Sequence, residues 1–155
     1  MYFERKAYLN QLISADDNGM IKIITGIRRC GKSFLLFNIF RKYLLDKGVA
    51  DNHVIQVNLE DRRNKKLRDP DALLEYVDSK IVDKDKYYIL LDEVQMVPEF
   101  EDVLNSYLHV DNAEVYVTGS NARFLSKDVI TEFRGRGWEI RIHPLSFSEY
   151  YEGVG

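Results

Sequence analysis

A chain of 155 residues with 45% apolar and 30% charged side chains is sized and composed for one globular domain with its own core. Its net charge of −3 excludes a global basic field for nucleic acid, and its single cysteine, Cys30, excludes an intrachain disulfide and suits a reducing, cytoplasmic setting. The opening MYFERKAYL lacks the apolar core of a secretion signal, and runs such as Tyr87–Leu91 fall far short of the ~18 apolar residues that span a bilayer, so no membrane partner is expected.

Residues 2–14 read as a helix with Leu9, Leu12 and Ile13 on one face, closed by the turn Asp16-Asp17-Asn18-Gly19. Ile21–Thr25 is a short apolar strand, Gly26–Gly31 a loop, and Lys32–Lys47 a helix that Gly48 stops. That helix is apolar nearly all round (Phe34, Leu35, Leu36, Phe37, Ile39, Phe40, Tyr43, Leu44, Leu45), which predicts heavy burial. A second strand covers His53–Leu59 and a charged loop follows it. Asp69-Pro70 then reads as an N-cap with proline at the first helical position, opening a helix with Leu73, Leu74, Val77 and Ile81 on its core stripe. Lys86–Asp92 is the third strand. Pro98 opens a helix carrying Phe100, Val103, Leu104, Tyr107 and Leu108 at helical spacing. Glu114–Thr118 is the fourth strand, Ala122–Phe133 a short helix, and Trp138–Ile142 the fifth strand.

Strands that alternate with helices predict an α/β fold with a parallel sheet covered on both faces. Strands one, three and four are continuous apolar runs and belong at its centre. Strand five alternates Trp138, Ile140 and Ile142 with Glu139 and Arg141, and strand two partly alternates; these two read as edges.

Gly26-Ile27-Arg28-Arg29-Cys30-Gly31-Lys32-Ser33 matches the phosphate-binding loop pattern G-x4-G-K-[ST], placed between a strand and a helix as its mechanism requires. Its glycines let successive backbone N–H groups face phosphate oxygens, and the helix that opens at Lys32 adds its N-terminal dipole. Lys32 is the candidate for the β- and γ-phosphates of ATP or ADP, and Ser33 for Mg²⁺. Phe34 completes the candidate nucleotide-binding stretch. Arg28 and Arg29 suit either phosphate or subunit contacts or plain solvent exposure, and Cys30 is a small side chain that fits the loop rather than a nucleophile.

Tyr87–Leu91 leads directly into Asp92-Glu93, an apolar strand ending in two acids. Downstream of a phosphate loop this matches a Walker B segment, with Asp92 holding Mg²⁺ and Glu93 placed to orient and polarise an attacking water. An acidic pair of this kind resembles the P-loop division whose members hydrolyse ATP with a glutamate directly after the Walker B aspartate. That resemblance implies a three-layer P-loop NTPase fold with a five-stranded parallel sheet in the order 5-1-4-3-2.

The fourth strand ends in Thr118-Gly119-Ser120-Asn121. In the same division a polar residue here senses the γ-phosphate, which makes Ser120 and Asn121 the first candidates and Thr118 the third; helix capping by Ser120 or Asn121 is the other reading. Arg134-Gly135-Arg136-Gly137 precedes the fifth strand. Arg136, then Arg134, are candidates for an arginine finger given to a neighbouring copy, against a solvated basic turn. Arg62, Arg63, Lys65, Lys66 and Arg68 can meet nucleic-acid phosphates, but the flanking Asp61, Asp69 and Asp71 dilute their field and favour a solvated loop. His53, His109 and His143 have no metal-ligand spacing and read as structural or surface residues. The absence of a guanine-recognition Asn-Lys-x-Asp points to adenine.

Taken together, ITGIRRCGKSFLL, YYILLDEVQ, VYVTGSNARFLS and FRGRGWEIRIHPLSFSEY resemble a family of prokaryotic AAA-type ATPases over residues 5–150. The Arg-Arg pair, Gln95 and Pro144-Leu145-Ser146-Phe147 carry the specificity of the match. The resemblance implies that residues 1–155 form the ATPase domain alone, without the C-terminal domain of the family. Its implied activity is Mg²⁺-dependent ATP hydrolysis, slow in isolation, that drives or gates a partner or missing domain, with a homo-oligomer completing the site. A nucleotide-binding switch with negligible turnover is the alternative. A small-molecule kinase lacks a recognisable acceptor pocket or lid.

Overall fold

The computed structural model describes residues 2–16, 19–26, 31–119 and 137–141. Its sheet has five strands: β1 (Ile21–Thr25), β2 (Val54–Asn58), β3 (Tyr87–Asp92), β4 (Ala113–Gly119) and β5 (Gly137–Arg141). All neighbours pair in parallel, in the order β2-β3-β4-β1-β5, which is the expected order read from the other edge. Strands two and five are the edges, as their alternation predicts.

Side chains of successive strand residues leave on opposite faces, so each central strand feeds two cores. On one face Ile21, Ile23, Ile89, Leu91, Val115 and Val117 pack under α4 (Pro70–Lys80) and α5 (Phe100–Tyr107). On the other Ile24, Tyr88, Leu90, Tyr116 and Ile140 pack under α1 (Tyr2–Ser14) and the helical rod that begins at Lys32. That rod runs as α2 (Lys32–Phe34), a π-helical stretch over Leu35–Phe40 and α3 (Arg41–Asp46). Heavy burial of the rod holds for Leu35, Leu36, Phe40 and Leu44, whose spacing follows one face. It fails for Phe34, which is 54% exposed, and is partial for Phe37, Ile39, Tyr43 and Leu45. A helix lying on one face of a sheet buries one stripe, whatever its composition.

The ends of the elements follow local chemistry. Asp69 caps α4 by accepting from Ala72 N–H at 2.9 Å, and Pro70 is its first residue. Gly48, at φ +105°, lets the chain turn back so that Gly48 and Val49 N–H donate to the Leu45 and Leu44 carbonyls at 3.1 and 3.0 Å. The charged segment after β2 is ordered as a 3₁₀ stretch, Arg62–Arg68, where a loop was expected.

At the N-terminal edge of the sheet, Asp16 joins three elements. It accepts from Lys86 at 2.9 Å, Tyr88 Oη at 2.9 Å and Lys47 at 3.4 Å. Burial pushes the Asp16 carboxyl up, but the bonds from Lys86 and Tyr88 and the charges of Lys86 and Lys47 outweigh it, holding it below the ordinary carboxylate value. Two interior residues interrupt the apolar pattern. Lys22 in β1 and Glu114 in β4 meet at 2.5 Å, both buried, with the Lys22 ammonium 4.9 Å from the centre of the Tyr116 ring. The reading of β1 as purely apolar is corrected at this position.

Candidate functional site

Three parallel strands deliver their C-terminal ends to one edge of the sheet. β1 ends at Thr25 and leads into Gly26, β3 ends at Asp92, and β4 ends at Gly119. Gly31 adopts φ +95°, a left-handed conformation natural to glycine, and immediately precedes Lys32. Its carbonyl accepts from Leu35 N–H at 2.9 Å, starting the rod.

The side chains at this edge form one connected cluster. Ser33 Oγ lies 2.8 Å from both Asp92 carboxylate oxygens. Thr118 Oγ1 donates to Asp92 Oδ1 at 2.6 Å and accepts from Glu93 N–H at 2.8 Å. Lys32 Nζ is 3.9 Å from Glu93 Oε1, with both side chains buried. Glu93 itself sits at φ +57° and ψ +52°, a left-handed conformation unusual for a residue with a side chain. Such backbone outliers concentrate at functional sites, where surrounding packing holds them.

Asp92 is buried at this edge among hydrogen-bonding and charged neighbours. Burial, more than anything else, pushes its carboxyl above the ordinary value; the bonds from Thr118 and Ser33 pull it down, while the charges of Glu93 and Glu60 push it up again. Two hard oxygen donors, Ser33 Oγ and the Asp92 carboxylate, stand side by side, a donor set that suits Mg²⁺. The ring of Phe34 lies open to solvent beside them.

Of the residues singled out in the sequence, Gly31, Lys32, Ser33, Asp92 and Glu93 converge here, with Gly26 at the end of β1. Ile27, Arg28, Arg29, Cys30, Ser120, Asn121, Arg134 and Arg136 lie outside the described residues, as does the expected helix over 122–133. Thr118, ranked third in its strand, is the described residue that ties Asp92 to Glu93. Gln95 is a further member: its Nε2 donates to Glu93 Oε2 at 2.5 Å. Its place in the motif was visible, but its target was not.

Other candidates resolve differently. Asp61 caps Arg63 N–H and Asp69 caps Ala72 N–H, so both acids serve the backbone, while Arg62, Arg63, Lys65 and Lys66 are exposed. Arg68 folds back to donate to the Leu59 and Glu60 carbonyls. His53 is structural: it bonds Asp83 at 3.2 Å and meets the Tyr87 ring edge-on at 4.4 Å. It also falls within 4.8 Å, ligand atom to ligand atom, of Asp83 and Asp85, a proximity its sequence spacing hid. His109 is exposed and His143 lies outside the described residues. Among the described residues no helix is long and apolar enough to cross a membrane.

Comparison with known proteins agrees with this architecture. The chain is 37% identical over 147 residues to an uncharacterized protein of Haemophilus influenzae, covering 94% of this chain and 36% of that one. It is 32% identical over 130 residues to an uncharacterized protein of Methanocaldococcus jannaschii, covering 84% and 28%. It thus spans about a third of the length of these relatives. A DNA polymerase III gamma subunit-related protein from Thermotoga maritima shares the fold with a TM-score of 0.62 at 10% identity, covering 87% of this chain and 45% of that one. A DNA replication initiation factor does so with a TM-score of 0.54 at 18% identity, covering 99% and 48%. A model of the AAA domain matches residues 18–151. The chain belongs to the AAA domain family, and its three-layer fold is that of the nucleotide-binding P-loop ATPases.

Proposed function

We propose that this chain binds Mg·ATP at the C-terminal edge of its sheet and hydrolyses it, using the energy to drive or gate a partner or a further domain. The observation that carries the reading is the linked cluster of Lys32, Ser33, Asp92, Glu93 and Thr118, drawn from a helix start and two strand ends. Residues 26–34 receive the nucleotide, with Lys32 moving from Glu93 to the β- and γ-phosphates. Ser33 and Asp92 would hold Mg²⁺, whose charge would offset that developing on the phosphates. Glu93 orients the water and accepts its proton as the oxygen attacks the γ-phosphorus and the bond to the β–γ bridging oxygen breaks, leaving ADP and inorganic phosphate. Thr118 holds the Asp92 carboxylate and the Glu93 backbone N–H, tying the end of β3 to β4, and Ser120 and Asn121 sense the γ-phosphate.

The same reading gives an arginine to a neighbouring copy. Arg136 is the first choice and Arg134 the second. Supporting a donation in trans, Gly137 pairs with Ile21, the first residue of β1, at the end of the sheet opposite Asp92. Turnover by the isolated chain is then slow and rises with protein concentration. The test is phosphate release from mixtures. Lys32→Ala and Arg136→Ala subunits, each inactive alone, regain part of the wild-type rate together, since a finger in trans is worth about 10³–10⁵ in rate. Full activity of Arg136→Ala alone, with no rescue in the mixture, removes the finger from the proposal.

A further inference from the structure

We infer that Gln95 is a positioning residue for Glu93: its side-chain amide holds one oxygen of the Glu93 carboxylate and so aims the other at the site. This rests on the reading of Glu93 as the group that orients water. The contact is specific. A carboxylate only accepts, so the amide presents its Nε2, which lies 2.5 Å from Glu93 Oε2. The other oxygen, Oε1, faces Lys32 at 3.9 Å. One oxygen is thereby clamped, and the other is directed at the place where Lys32 must release it to meet a phosphate.

The backbone fixes this geometry. Glu93 turns the chain left-handed, and Val94–Met96 follow as a single 3₁₀ turn closed by Met96 N–H to Glu93 C=O at 3.1 Å. Val94 and Val97, fully buried in the core under α4 and α5, pin both sides of the turn. Gln95, between them, is carried back against the side chain two residues earlier.

Its other polar atom makes the case for function over stability. Gln95 Oε1 is buried and has no hydrogen-bond partner. A buried unsatisfied carbonyl is a cost to the folded state, so a residue selected for stability here would be apolar. Gln95 bears that cost while donating to the acid that faces Lys32 at 3.9 Å.

Phosphate release and calorimetry on the same proteins test the inference. Gln95→Leu lowers kcat roughly 10- to 100-fold, the worth of one hydrogen bond to a charged group, with Mg·ADP affinity within about twofold of wild type and an unchanged or raised melting temperature. Gln95→Glu keeps the length, sets carboxylate against carboxylate and loses at least as much. On a Glu93→Gln background, Gln95→Leu has no further effect, because the two act through one group. Wild-type kcat in both Gln95 variants overturns the inference and leaves Glu93 in place. So does a loss of kcat matched by losses in affinity and melting temperature. A wild-type protein that releases no phosphate, or full turnover by Glu93→Gln, removes the reading of Glu93 and the role of Gln95 with it.

Discussion

Lys32→Ala abolishes Mg·ATP binding at concentrations that saturate the wild type, while the chain stays folded. Lys32 follows the left-handed Gly31 at the mouth of the rod, and its buried ammonium is held 3.9 Å from Glu93. A buried ammonium with a loose acidic partner is ready to exchange it for a doubly charged phosphate, where charge-assisted bonds are stronger. Losing it costs at least about 100-fold in affinity. The methylenes it removes are few against two cores that enclose both sheet faces, so far-ultraviolet circular dichroism of the variant matches the wild type. Isothermal calorimetry makes the comparison. Unchanged nucleotide affinity in the folded variant is incompatible with a phosphate site at residues 26–34.

The largest expected effect on stability lies away from this edge. Lys22→Met deprives the buried Glu114 carboxylate of the ammonium 2.5 Å away. Removing one member of a buried ion pair costs about 3–5 kcal/mol, because the remaining charge keeps its desolvation penalty. For a domain of this size that lowers the melting temperature by roughly 10 °C or more. Replacing both, as Lys22→Met with Glu114→Leu, fills the same space with apolar atoms beside Tyr116 and restores most of the loss. Thermal unfolding of the two variants decides the matter. A single variant as stable as wild type shows that the pair contributes little, and a double variant no better than the single shows that the methionine, not the stranded charge, is at fault.

That pair also shows where the sequence stops being legible. Strand membership, the two edges, the Asp69 cap and the Gly48 stop rest on local patterns, and local patterns are visible in a single chain. Lys22 and Glu114 are 92 positions apart, and nothing in either neighbourhood marks them as partners. Tyr8, buried one turn before Leu12 on α1, carries no sequence signal of burial, because a tyrosine in mid-helix suits the surface as well as the core. The candidate site follows the same division. Lys32, Ser33, Asp92 and Glu93 are readable because their chemistry demands fixed spacing within each motif. The bonds between motifs are not: Ser33 to Asp92 and Thr118 to both acids depend on parallel pairing that brings three strand ends level. The left-handed turn at Glu93 has no sequence signal either, since glutamate rarely adopts it. Together with the 3₁₀ turn that follows, it folds Gln95 back onto the carboxylate.

The most direct measurement is of binding and turnover together in Glu93→Gln. The substitution keeps the shape of the side chain and removes the carboxylate that takes the proton from water. Calorimetry with Mg·ATP and phosphate release are run on the same preparation, beside the wild type at matched concentrations. The account predicts wild-type affinity and a rate lower by about 10²–10⁴. Turnover at the wild-type rate in a variant that binds ATP normally would contradict it.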